Sequence, residues 1–80
     1  MAALTLETMR ADVAELLEED ASAIGDDDNL VDFGLDSMRL MALATRWRNA
    51  GANVQFADLA ERPQLTHWFS LVERGGAAAR

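Results

Sequence analysis

A serine directly follows an aspartate in Asp32-Phe33-Gly34-Leu35-Asp36-Ser37-Met38, where a polar stretch gives way to apolar residues with helical spacing. That position has a definable chemistry. A helix N-terminus offers unpaired backbone N–H groups and roughly half a positive charge, so it tolerates an attached phosphate well. Gly34 permits backbone shapes that other residues resist, and so can expose the residues after it. Asp36 adds negative charge beside Ser37, which could hold an amine or a metal-bearing partner group, and Arg39 could pair with a phosphate. A plainer role is also open: Ser37 or Asp36 as no more than the N-cap of the helix.

Other chemistries are poorly served. His67 is the single histidine, far along the chain from Ser37. Gly34-Leu35-Asp36-Ser37 is not the G-x-S-x-G elbow of hydrolases, so no catalytic residue is assigned and no enzyme is expected. There is no cysteine, which removes disulfides, thiolate metal sites and a Cys nucleophile. Asp26-Asp27-Asp28-Asn29 and Asp32 could suggest calcium. An EF-hand loop starting at Asp26 would need glycine and an acid where Val31 and Ser37 stand, so no metal site is expected.

The elements that must position the serine can be read from periodicity. Leu6, Met9, Val13, Leu16 and Leu17 recur in steps of three and four and predict a helix over 5–19, with Thr5 or Thr8 as its cap and Glu7 in its first turn. Residues 20–36 hold no sustained period and are rich in Asp, Gly and Asn, yet Ile24, Leu30, Val31, Phe33 and Leu35 punctuate them. Such a loop should be pinned across the core by those five anchors, and long ordered loops are usually functional. A second helix is expected over 37–50, stopped by Gly51, with Leu40, Leu43, Ala44 and Trp47 facing inward. Met38 and Met41 fall on another side with Ala42 and Thr45, which points to an exposed methionine surface for partners. The stretch 53–56 carries a weak strand signal. A short helical turn is expected over 57–61, and Pro63 should end it and open a last helix over 64–73, on which Leu65, Trp68, Phe69 and Val72 share a face. Gly75-Gly76 should stop that helix. The fold class is therefore all-α: three main helices and a short third one, with a long loop between the first and second. The domain is expected over 1–75, with a flexible tail over 76–80.

Eighty residues make one domain with a small core, burying only about 60% of the unfolded surface. That leaves little room for a deep catalytic pocket and favours a carrier or interaction role. The net charge is −7, unevenly placed: residues 1–36 carry eleven acids and one base, Arg10, whereas residues 37–80 carry three acids and six arginines. The acidic half repels nucleic acid and would attract a basic protein surface, or simply keep the chain soluble. No apolar run approaches the roughly 20 residues of a membrane span, and the start of the chain lacks signal-peptide character, so a cytoplasmic monomer is expected.

Gly34-Leu35-Asp36-Ser37 followed by an apolar residue closely resembles the phosphopantetheine attachment motif of acyl and peptidyl carrier proteins. The resemblance runs through the helices in order, and its most specific part is Asn29-Leu30-Val31-Asp32-Phe33-Gly34-Leu35-Asp36-Ser37. Met41-Ala42-Leu43-Ala44-Thr45-Arg46-Trp47-Arg48, then Phe56, Leu59-Ala60, Pro63 and Trp68, look like the aryl carrier domains of siderophore assembly. In those systems the domain often follows an isochorismatase; here Met1 lies just before the first helix, and a stand-alone carrier is expected. The resemblance implies a small four-helix carrier-protein bundle with 4'-phosphopantetheine attached covalently to Ser37. Gly34 and Asp36 belong to the attachment motif. It implies a phosphopantetheinyl transferase, an aryl-acid adenylating enzyme that loads a salicylate or dihydroxybenzoate as a thioester, and a condensation or other downstream synthetase domain. The partner surface is expected at Met38, Arg39, Met41, Phe56 and Ala60, with Arg46, Arg48 and Arg62 as further charges. An amino-acyl or other acyl cargo is the alternative, and an unmodified helical interaction module is the alternative of another class. Two residues depart from the pattern: Gln64 stands where a Thr or Ser cap is common, and Met38 replaces the commoner Leu or Val.

Overall fold

Thr5 and Thr8, rivals for the first cap, share the work. In the computed structural model, which describes residues 4–74, the Thr5 hydroxyl accepts from the Thr8 N–H at 3.1 Å and the Thr8 hydroxyl accepts from the Thr5 N–H at 2.8 Å. This reciprocal box satisfies two donors at the start of α1, Leu6–Leu17. The helix ends before the expected residue 19 because Glu18 turns left-handed, at φ 57°. Met9, Val13, Ala14 and Leu17 are buried, while Leu6 and Leu16 pack half-buried at the edge of the core.

The loop after α1 contains two short 3₁₀ turns, Ala21–Ala23 and Leu30–Phe33. Ile24, Leu30 and Leu35 are buried, and Phe33 packs half-buried against them. Val31 is not an anchor: it is 54% exposed. The reason is the pitch. With three residues per turn, Leu30 and Phe33 share the inward face and Val31 between them must turn out. The loop is tied to α1 through Arg10, which pairs with Asp26.

The helix α2, Ser37–Asn49, buries Leu40, Leu43, Ala44 and Trp47 and leaves Met38, Met41, Ala42 and Thr45 exposed, as their spacing predicts. It stops at Gly51, whose φ of 106° suits glycine. The stretch 53–56 forms no strand; no strand occurs among the described residues. It is an extended link with Val54 buried and its carbonyl held by Arg48. The short helix α3, Phe56–Glu61, begins one residue earlier than expected because the Asp58 carboxylate accepts from the Gln55 N–H at 3.1 Å. Arg62 then leaves the helix in extended backbone, the conformation a following proline imposes.

The last helix, α4, spans Leu65–Glu73. Pro63 does not open it; Pro63 lies in the link, where its carbonyl accepts from the Leu30 N–H at 2.9 Å. Gln64 is the cap position but caps nothing with its side chain. It reaches instead to the Asp27 carbonyl at 3.2 Å. The orphan N–H of Thr66 is satisfied by the Asp26 carbonyl, and the Thr66 hydroxyl donates to Asp27 at 2.7 Å. The long loop thus caps α4 from outside, which explains how the helix starts without a Thr or Ser cap of its own. Gly75-Gly76 and the tail over 76–80 lie outside the described residues.

The core closes on two tryptophans. Trp47 and Trp68 are fully buried and meet edge to face, with ring centroids 5.7 Å apart. Each indole N–H has an acceptor: Asp12 of α1 for Trp47, and the Leu59 carbonyl near the end of α3 for Trp68, both at 2.9 Å. The second bond pins the six-residue α3 to α4. Arg46 adds an ion pair with Glu15 at 3.0 Å between α2 and α1.

Candidate functional site

Gly34 ends the second 3₁₀ turn at φ 101°, a region that favours glycine. Its N–H bonds to the Val31 carbonyl at 3.0 Å, and the Leu35 N–H to the Leu30 carbonyl at 3.3 Å. The reversal buries Leu35 as a plug and turns Asp36 and Ser37 outward.

Asp36, not Ser37, is the N-cap of α2. Its backbone is extended, and its Oδ1 accepts from the Arg39 N–H at 2.9 Å. Ser37 is the first helical residue and is exposed, so its hydroxyl is spared from capping. An aspartate cap also completes the favourable charge at a helix N-terminus. The Arg39 guanidinium folds back on the loop: Nη1 donates to the Gly34 carbonyl at 3.1 Å and lies 3.9 Å from Asp36 Oδ2.

A shallow cleft of about 240 Å³ opens beside the serine. Asp36 and Ser37 form part of its wall, together with Phe56 and Ala60 of α3. Leu35 and Leu40 contribute apolar wall from below, and Val31 and Pro63 complete it. The structure therefore brings Ser37, Asp36, Phe56 and Ala60 together. Met38 and Met41 stand on the same helix outside the cleft wall, 80% and 57% exposed. Val31 and Pro63 were not among the residues expected here. The spacing of Leu30 and Phe33 could have revealed Val31; nothing local marks Pro63, which arrives through its bond to Leu30.

Three consecutive acids of the loop are each engaged. Asp26 pairs with Arg10, Asp27 accepts from Thr66, and Asp28 accepts from the Gly25 N–H at 2.8 Å. Among the described residues no group of three or more candidate ligands is placed to hold a metal ion. His67 is not part of the cleft at Ser37, and its Nε2 is buried in α4. No helix among the described residues is long and apolar enough to cross a membrane.

Residues 7–68 match the family model described as the phosphopantetheine attachment site, and the chain belongs to that family. It is a carrier domain that bears covalently attached 4'-phosphopantetheine and performs no catalysis itself. The chain is 47% identical over 68 residues to an isochorismatase of Bacillus subtilis, covering 85% of this chain and 22% of the relative. It is 49% identical over 69 residues to the phenyloxazoline synthase MbtB of Mycolicibacterium paratuberculosis, covering 86% of this chain and 6% of the relative. It is 44% identical over 66 residues to the enterobactin synthase component B of Escherichia coli K12, covering 82% and 23%. The chain thus spans less than a quarter of the length of these relatives. No solved structure matches it.

The residues at the head of α2 fit the group. An exposed hydroxyl, a cap supplied by its neighbour and free N–H groups at the positive end of a 13-residue helix suit a phosphodiester.

Proposed function

We propose that Ser37 carries the phosphopantetheine arm and that the domain, over 1–75, holds an aryl acid of the salicylate or dihydroxybenzoate type as a thioester. It delivers that acid to siderophore or other nonribosomal peptide assembly in the cytoplasm, acting as a monomer. The observation that carries this reading is the exposed, uncommitted hydroxyl of Ser37 behind its Asp36 cap. Relatives named as a phenyloxazoline synthase and an enterobactin synthase component support the aryl cargo.

Attachment needs a phosphopantetheinyl transferase and coenzyme A. The serine O–H bond breaks and Oγ–P forms, while a P–O bond of the coenzyme pyrophosphate breaks. Adenosine bisphosphate leaves, and the proton passes to base or solvent. An aryl-acid adenylating enzyme then loads the arm, and a condensation or other synthetase domain unloads it. Met38, Met41, Phe56 and Ala60 present the apolar surface these partners would touch, and Arg39 adds charge beside it.

The test is intact mass after treatment with a broad-specificity transferase and coenzyme A. Wild type should gain one phosphopantetheinyl group and Ser37→Ala none, with unchanged circular dichroism. No addition to wild type would leave an unmodified interaction module. Loading trials with aryl-acid and amino-acid adenylating enzymes separate the cargo classes: efficient aminoacylation without arylation would replace the aryl cargo.

A further inference from the structure

We infer that Arg39 is the positioning residue of the attachment serine, holding both the turn before it and the cap beside it. The inference rests on Ser37 being the attachment point. Three contacts converge on this one residue. Its backbone N–H donates to Asp36 Oδ1 at 2.9 Å, its Nη1 donates to the Gly34 carbonyl at 3.1 Å, and Nη1 lies 3.9 Å from Asp36 Oδ2. The guanidinium therefore links Gly34 and Asp36, the turn and the cap that precede Ser37, from a residue outside the Gly-Leu-Asp-Ser motif, while the main-chain bond to Asp36 is independent of the side chain.

The geometry explains why a tie is needed. Gly34 sits at φ 101° with no side chain to fix it, and a Cβ built there would meet only Arg39 Nη1, at 4.0 Å. Leu35 plugs the core from below, so the turn is held from beneath by burial and from above by the guanidinium. A planar guanidinium suits two oxygen acceptors on one side better than a flexible ammonium does.

Charge gives Arg39 a second effect at the same place. The Gly34 carbonyl and the Asp36 carboxylate both present oxygen beside Ser37, and the reagent that must approach is a pyrophosphate. No basic residue lies between Arg10 and Arg39, while Asp26, Asp27, Asp28, Asp32 and Asp36 precede the serine. Arg10 is committed to Asp26. Arg39 is thus the cation that offsets the acids at the serine. Its side chain is 44% exposed, so its effect on global stability is small.

The experiment compares wild type, Arg39→Ala, Arg39→Lys and Arg74→Ala, the last an equal charge loss at the end of α4. Transferase kcat and KM are measured with coenzyme A, and amide hydrogen exchange at Gly34 and Leu35 is measured on the protein alone. Arg39→Ala should lower kcat about fivefold with little change in KM, the size expected for losing one exposed charge-assisted bond. It should also speed exchange at Gly34 and Leu35. Arg39→Lys keeps the charge but not the planar fork and should recover only part of kcat, and Arg74→Ala should match wild type. A rise in KM alone, with exchange unchanged, would make Arg39 a partner contact only and overturn the inference. If wild type accepts no arm, the attachment reading fails, and the exchange data still decide whether Arg39 holds the turn.

Discussion

The two tryptophans and the head of α2 are held in opposite ways. Trp47 and Trp68 are fully buried, and both indole N–H groups find acceptors. Around Ser37 the bonds are polar and exposed: a carboxylate cap, a guanidinium on a carbonyl, a glycine turn. The first region excludes water and supplies stability. The second leaves Ser37, Met38 and Met41 exposed, on the surface proposed above for partners. The contrast implies that stability and loading should be separable by mutation.

The largest effect should come from the first region. Trp47→Ala removes a fully buried indole and should cost about 3–5 kcal/mol in urea unfolding, a large part of the stability of a small domain. A loss under about 1 kcal/mol would erase the distinction between the two regions. Gly34→Ala comes next, at about 1–3 kcal/mol, through its positive φ and not through crowding. The same denaturation series measures it, and a neutral result would mean that the turn relaxes freely. Met41→Ala should be smallest in stability, within about 0.5 kcal/mol, because its side chain is mostly exposed. Its kcat/KM with the adenylating enzyme should fall about tenfold if it is a central contact. Equal loss of stability and loading would show that the surface is structural after all.

Much of the first region could be read from residue spacing. Leu40, Leu43, Ala44 and Trp47 point inward as their steps require, because a 3.6-residue period is a property of the chain itself. The second region was legible in type but not in detail. Ser37 and Asp36 are both good caps, so composition could not choose; the choice depends on backbone geometry, extended at Asp36 and helical at Ser37. Val31 reads as an anchor by hydrophobicity alone; the three-residue step from Leu30 to Phe33 is the one local sign that it turns out. Gln64 departs from the usual Thr or Ser cap, and its compensation comes from residues 26 and 27, far away in sequence. The link between Arg39 and Gly34 is likewise a contact across five residues that no period announces.

The edge-to-face tryptophan pair has an optical consequence. The chain holds two tryptophans and no tyrosine, so its ultraviolet fluorescence arises in the centre of the core. Unfolding brings both indoles into water and shifts their emission to longer wavelength. A group added at Ser37 lies on the outer face and leaves that emission almost untouched. One sample can therefore report its folding by light and attachment of the non-aromatic arm by mass, with neither signal contaminating the other.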